Sequence, residues 1–430
     1  MSGTFLNRAE IEAAQLASLR TLIDALIPDN QFYTERLASG GITTAPASLE
    51  EFVSKCPFTT KSECVTDQAD HPPYGTNLTY PEERYTRFHQ TSGSTGKPMR
   101  WLDTNESWDW MLGNWCEVYR AADVTEADRV FFAFSFGPFL GFWTAFESAL
   151  QIGCLCLPGG GLSSAVRVRN IIEQRATVLC CTPTYALHLA AVAEREGIDL
   201  GESSIKTIIV AGEPGGSLPA TRKQMEDAWN GARVFDHHGM TEVGPVTYEC
   251  PDQPGVLHIV ETSYLSEIVD PESGAPVDPG ETGELILTTL GRTGSPLLRY
   301  RTGDLVKAAT TTPCKCGRHD LALVGGILGR ADDMVVVRGV NIYPGAVDQI
   351  IREHGGVAEY QVKVDSANSM TELAITVEPE AHCEDSDSLA KSLARSFQDS
   401  LALRVPVSLA ERDSLPRFEL KAKRWLKVGK

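Results

Sequence analysis

Between Arg129 and Gly231 the chain repeats one pattern: a short apolar run, a turn rich in glycine or proline, then an amphipathic helix. "VFFAFSF" leads to "FWTAFESALQI", and "GCLCLP" follows. "TVLCCTP" runs into "TYALHLAAVAEREG", and "IKTIIVAGEPGG" precedes "PATRKQMEDAWNG". Strands alternating with helices in this way imply βαβ units around a mostly parallel sheet. Such sheets bind ligands beyond the carboxyl ends of their strands. The loops after these strands are therefore where the chemistry is expected.

The flanking sequence has a different character. The first sixty residues read as helical, notably "AEIEAAQLASLRTLIDALI", and a looser stretch runs to about Tyr85. Gly255 to Ala308 is rich in β-branched residues and turns such as "VDPGETGE", which predicts an antiparallel β subdomain. "VDQIIREHGGVAEYQVKVD" and "TELAITVEPE" predict a small α+β domain. With 430 residues, more than one core is expected. The predicted fold class is α/β: a large N-terminal domain over 1–328, a hinge at 329–333, and a small mobile α+β C-terminal domain over 334–430.

Composition excludes some partners. A net charge of −18 counts against nucleic acid, whose phosphates need a basic footprint. "VFFAFSFGPFLGFWTAF" is too short for a membrane span and is broken by Gly137, Pro138 and Gly141. "MSGTFLNRAEIEAAQ" lacks the pattern of a secretory signal. The expectation is a soluble cytoplasmic protein whose eleven cysteines are reduced thiols or metal ligands.

"QTSGSTGKPMRW", Gln90 to Trp101, concentrates hydroxyls, glycines and a lysine. Such a loop can close around a polyanion or be a polar turn. It is not a nucleotidase P-loop. Thr91 stands where the first glycine is required, and Pro98 follows Lys97 in place of Ser or Thr. No glycine fingerprint for a dinucleotide follows any strand.

Four later segments change the weighing: "HHGMTEVGP", "GETGEL", "RYRTGD" and "GRADDMVVVRGVNIYP", in that order. With the serine–glycine loop they closely resemble the adenylate-forming ligase superfamily. "YEC…GVLHI", "PCKCGRH" and "LPRFELKAKR" further resemble its phenylacetate–CoA ligase branch, so that the likeness runs from about Phe32 to Arg424. The resemblance implies transfer of AMP from ATP to a carboxylic acid, then exchange of AMP for the thiol of coenzyme A. It implies that Ser92, Gly93, Ser94, Thr95, Gly96 and Lys97 wrap the β- and γ-phosphates. Gly212, Glu213, Pro214, Asp236, His237, His238, Gly239 and Met240 would surround the adenosine. His238 stands where relatives usually carry a stacking tyrosine. Thr241 would meet the α-phosphate, and Glu242 would hold Mg²⁺, a hard cation suited to carboxylate. Asp304 would accept from the ribose hydroxyls, and Arg330 would contact ribose and phosphate. Asp332 falls on the hinge and Gly339 on the CoA tunnel. Lys421 matches the catalytic lysine, with Lys423 as its competitor and Leu420 replacing the family's glycine.

Cys250, His258, Cys314 and Cys316 offer a complete tetrahedral set for a structural zinc ion, with His319 in reserve. Buried free cysteines are the plain alternative. Phe134, Phe136, Phe139 and Ala211 are expected to wall the acid pocket, favouring an apolar or aromatic acid. Plain core is the other reading of those phenylalanines. Two other functions stay open: a nucleotidyl transferase that leaves AMP on a hydroxylated cofactor, and a nucleotide-binding protein without catalysis. The expected partners are small molecules, with neither nucleic acid nor membrane, and assembly as a homodimer stays open.

Overall fold

Apolar runs bounded by turns form a five-stranded parallel sheet, in the order Leu155–Pro158, Arg129–Phe132, Val178–Cys181, Thr207–Val210 and Arg233–Asp236. The structure, a computed structural model, describes residues 5–91, 98–333, 335–337, 340–365, 371–380, 383, 385–401, 403–418 and 422–428. All four residues of Val178–Cys181 and of Thr207–Val210 are buried, as strands covered on both faces must be. Helices Leu140–Ile152, Ser164–Glu173, Pro183–Arg195 and Pro219–Ala228 link the strands. Ser163 and Thr182 cap two of them, and Pro183 and Pro219 pre-set the first turns of the last two.

The expected strand "VFFAFSF" is shorter than its apolar run. Ala133 still donates to the Cys180 carbonyl, but regular pairing ends at Phe132. Gly137 takes φ +52° and the Pro138 carbonyl accepts from Gln90, which turns the segment off the sheet before the helix at Leu140.

Alternation along the strands separates two cores. Val130, Phe132, Val178, Ile209 and Phe235 face a core shared with Tyr264, Leu285, Leu287 and Val306 of the β subdomain. Phe131, Leu179, Ile208 and Val234 face the helices, against Val168, Leu189, Met225 and Trp229. The β subdomain is antiparallel, as expected, in the order Tyr264–Val269, Thr282–Thr289, Tyr300–Lys307 and Gly329–Arg330. A three-stranded sheet of Thr247–Glu249, Val256–Ile259 and Ala322–Val324 lies beside it in sequence.

The C-terminal part has its own core, built on Val362, Val364, Ile375, Val377, Leu393 and Phe397. Its sheet runs Val407–Leu409, Glu372–Pro379, Val357–Asp365, Trp425–Val428, with helices Pro344–His354 and Ser386–Leu401. The basic tail is thus drawn into the sheet: Trp425–Val428 pairs in parallel with Val362–Asp365. No helix among the described residues is long and apolar enough to cross a membrane.

Candidate active site

The strand Arg233–Asp236 ends where the loop after Val210 closes over it, and Gly216 makes that closure possible. A Cβ there would lie 2.5 Å from Asp236 Cγ. Ser217 donates to Asp236 Oδ2 at 2.5 Å, and the Asp236 amide donates to Glu249. Arg222 holds Glu249 with two contacts of 2.5 and 2.6 Å. Burial pushes the Asp236 carboxyl up to about 7, against the Ser217 bond and with help from the Glu249 charge. His237 follows, 6% exposed, with its ring edge-on to Trp115 at 4.3 Å. Neither of its ring nitrogens has a protein partner, and burial pushes its pKa down to about 3, which keeps it neutral. Gly239 and Met240, both half-buried, pair with Gly244–Pro245 as a two-residue ladder. Ala211 and Glu213 are half-buried, while Gly212 and Pro214 are exposed.

Asp304 lies on the neighbouring subdomain, 3% exposed. Its Oδ1 accepts from Arg330 Nη1 at 3.2 Å. Its Oδ2 stands 3.1 Å from His238 Nε2 without the alignment of a hydrogen bond, so both atoms remain buried and unpartnered. A buried carboxylate oxygen in that condition calls for a donor. Arg330 also pairs with Asp332 at 2.8 and 3.2 Å, linking Asp304 to the expected hinge. Gly303 takes φ +76° with Arg330 Nη2 only 2.7 Å from where a Cβ would stand. Any side chain there would push the guanidinium aside.

Glu242 is buried, and Thr241 beside it is half-buried. The ammonium of Lys61 reaches Glu242 Oε1 at 3.3 Å. The backbone of this pair is held from behind. Arg292 Nη1 donates to the Thr241 carbonyl at 2.9 Å and the Glu242 carbonyl at 2.6 Å. Its Nε and Nη2 take both oxygens of Asp103, each at 2.7 Å, and both side chains are fully buried. Asp103 belongs to the strand Arg100–Thr104, which pairs with Tyr85–Gln90. The Thr91 amide donates to the Met99 carbonyl at 2.9 Å and the Met99 amide to Thr91 Oγ1 at 3.0 Å, which joins the residues that flank the serine–glycine segment in sequence. Ser92, Gly93, Ser94, Thr95, Gly96 and Lys97 themselves lie outside the described residues, as do Gly339 and Lys421.

Sequence reasoning missed Lys61 and the Asp103–Arg292 pair. Lys61 opens a helix whose capping box, Thr60 with Glu63, reads as ordinary helix punctuation. Asp103 and Arg292 stand 189 positions apart and carry no local signal.

The phenylalanines divide. Phe134 is 7% exposed and stacks on Phe142 at 4.2 Å, so it is taken up by the core and is not an open pocket wall. Phe136 and Phe139 are half-buried at the mouth of the same aromatic cluster.

Away from these groups the ligand atoms of Cys250, His258, Cys314 and Cys316 lie within 4.8 Å of one another. Cys250 and Cys314 sulfurs are 3.7 Å apart, and Cys316 Sγ is 3.5 Å from His258 Nε2. Tetrahedral Zn–S and Zn–N bonds of ordinary length place such ligand atoms about 3.8 and about 3.6 Å apart. His258 Nδ1 lies 3.2 Å from the Asp320 carbonyl, which favours the tautomer that leaves Nε2 free to bind a metal.

The fold defines a class: α/β proteins that join a parallel sheet and a β subdomain to a separate small C-terminal α+β domain. The family model for AMP-binding enzymes matches residues 64–291, and that for the AMP-binding enzyme C-terminal domain matches 339–427. The chain is 31% identical to a phenylacetate–coenzyme A ligase of Thermus thermophilus, over 96% of this chain and 95% of that one. Among solved structures, a 2-hydroxyisobutyryl-CoA ligase in its postadenylation state with 2-HIB-AMP matches with a TM-score of 0.93 at 26% identity, covering 99% of this chain and 91% of that one. The same ligase with 2-HIB-AMP and CoA in the thioesterification state gives 0.74 at 27% identity and the same coverage. The chain belongs to the AMP-binding enzymes, in their phenylacetate–CoA ligase-like branch. It is an ATP-dependent acid–CoA ligase.

Proposed function

We propose that the chain activates an apolar or aromatic carboxylic acid as its adenylate and hands the acyl group to CoA, with arylacetates the first class to test. A carboxylate resists nucleophiles because it is charged and its oxide leaves poorly. Adenylation supplies the leaving group. In this reading Asp304 accepts from the ribose hydroxyls, and its buried unpartnered Oδ2 is the observation that carries the assignment. Thr241 meets the α-phosphate and Glu242 binds Mg²⁺, displacing the ammonium of Lys61 that now faces it. The serine–glycine segment wraps the outer phosphates. Lys421 places its charge at the reacting phosphorus, where it acts on the charge that develops in transfer. Asp236, His237 and His238 border the adenosine, and Phe136, Phe139 and Ala211 border the acid.

Two domains meeting at 329–333 would let one site serve both half-reactions. The closer match to the postadenylation state than to the thioesterification state supports the idea that the present arrangement is the adenylating one. Cys250, His258, Cys314 and Cys316 would hold a structural zinc, since four protein ligands leave no open position.

Acid-dependent pyrophosphate exchange, screened over aromatic, aliphatic and hydroxylated acids, tests the reading and names the acid. Exchange with an apolar acid, followed by AMP release and thioester when CoA is added, is the expected result. Exchange with no acid would leave the non-catalytic reading. AMP retained on a hydroxylated cofactor would support the transferase.

A further inference from the structure

We propose that Glu213 is a positioning residue that holds the segment following Lys421 while the adenylate forms and lets it go for thioester formation. The proposal rests on the two-step function above and on Lys421 as the adenylating lysine.

Glu213 sits in the loop that leaves the strand Thr207–Val210. Its Oε1 accepts from the Thr184 amide at 2.9 Å, in the first turn of the helix Pro183–Arg195, where N–H groups lack helical partners. That bond lies wholly within the large domain. It fixes the carboxylate with its second oxygen turned outward. Oε2 accepts from the Ala422 amide at 2.8 Å, 209 positions along the chain. The donor, Ala422, is the residue that follows Lys421 in the sequence.

The far side of that backbone is held by the small domain. The Arg424 carbonyl accepts from Val362 at 2.7 Å, and Arg424 pairs with Glu359 at 2.6 and 3.1 Å. The segment is therefore tied both to its own sheet and, through the Ala422 amide, to Glu213 across the domain boundary. Two weaker ties cross the same boundary: Arg424 Nη1 to Thr184 Oγ1 at 3.5 Å and Thr221 Oγ1 to Asp348 Oδ2 at 3.3 Å. At equal coverage, this chain matches one ligase with a TM-score of 0.93 in its postadenylation state and 0.74 in its thioesterification state. Domain rotation would break the Ala422 bond and keep the Thr184 bond. A preset acceptor that engages the tail in one arrangement only favours the half-reaction run in that arrangement.

The test measures both half-reactions on the full chain. A charge-assisted hydrogen bond lost at one step corresponds to a rate loss of about tenfold to a hundredfold. Glu213→Ala should slow pyrophosphate release at saturating ATP by that factor, with thioester formation from supplied acyl-adenylate within about twofold of wild type. Glu213→Gln keeps one oxygen for Thr184 and the helix cap, so it controls for folding; it should slow the same step alone. Ala422→Pro removes the donor, and its combination with Glu213→Gln should be no worse than the worse single change. Equal loss in both half-reactions would overturn the proposal, as would a loss confined to ATP affinity or full additivity of the pair. Lys421→Ala run in parallel separates the two assignments. If it spares adenylation, the lysine assignment is wrong; if it abolishes adenylation while both Glu213 variants are normal, only the role of Glu213 fails.

Discussion

Replacing Arg292 with methionine would remove the buried cation that ties the base of the serine–glycine loop to Thr241 and Glu242. Its side chain is fully buried, as is that of Asp103, whose one other polar neighbour among the described residues is His89. His89 Nδ1 stands 3.9 Å off, on a ring stacked against Trp108 at 5.0 Å. Methionine fills much of the volume but leaves Asp103 without compensation and the two carbonyls without a donor. Breaking a buried pair from one side costs about 3–5 kcal/mol. Urea unfolding at pH 7 should show that loss for Arg292→Met. Asp103→Asn together with Arg292→Met should cost less than the sum of the single changes by more than ~1 kcal/mol, because the stranded charge is gone. The pH dependence has a definite sign. Burial pushes the Asp103 carboxyl up, but Arg292, with His89, more than offsets it, so that the folded value lies below the usual one. That stabilisation is present above the unfolded pKa and fades as pH falls through the folded value. Without Arg292 only His89 opposes burial, and the folded pKa rises. The gap between wild type and Arg292→Met should therefore widen from pH 4 to pH 7. A cost under about 1 kcal/mol, additive with Asp103→Asn, would refute the reasoning.

Asp304→Ala should raise the KM for ATP by about tenfold or more, from lost bonds of 1–3 kcal/mol, with little effect on thermal stability; an unchanged KM would remove the ribose assignment. Asp236 is expected to make the fold less stable as pH rises from about 4 to about 7, since its folded pKa is raised to about 7 and the proton is lost through that window. Asp236→Asn cannot ionise, so its stability relative to wild type should climb over the same range, by up to ~4 kcal/mol at 1.36 kcal/mol per unit. Denaturation at several pH values measures it, and a flat difference would contradict it. Metal analysis should find close to one zinc per chain, and Cys316→Ser or a strong chelator should lower the melting temperature; absence of metal from protein grown with zinc would end that assignment.

How much of this was legible in the sequence depended on how local the signal was. The parallel sheet was readable because continuous apolar runs and glycine turns encode both burial and chain reversal within a few residues. The strand at Val130 was over-extended because its apolar run continues through Phe134 and Phe136, which pack in the aromatic cluster without pairing. The strand in the tail was not legible because Trp425–Val428 finds its partner strand some sixty residues earlier, at Val362–Asp365. The metal ligands were readable as types, but only the fold brings Cys314 and Cys316 to Cys250 and His258. Arg292 was hidden for a simpler reason. A buried ion pair has no periodicity and no preferred spacing, so nothing in "TTLGRTGSP" distinguishes it from a turn residue.

The charge balance of the site constrains how a nucleotide can enter it. Around Asp304 and Glu242 the described carboxylates also include Asp332 and Asp333, while Lys61 and Arg330 are the cations in contact with this group. Arg330 is already committed to Asp304 and Asp332. Asp333 is held above its ordinary value, first by partial desolvation and then by the charge of Asp332 beside it. A free triphosphate would add like charge to these carboxylates, in a protein whose net charge is −18. In the proposed reading, a divalent ion delivered with the nucleotide would be held by Glu242 and would reverse the sign there. Lys61 would then be free to turn from the carboxylate toward phosphate oxygens. Glu242 would thus serve to make an acidic site on an acidic protein attractive to a polyanion.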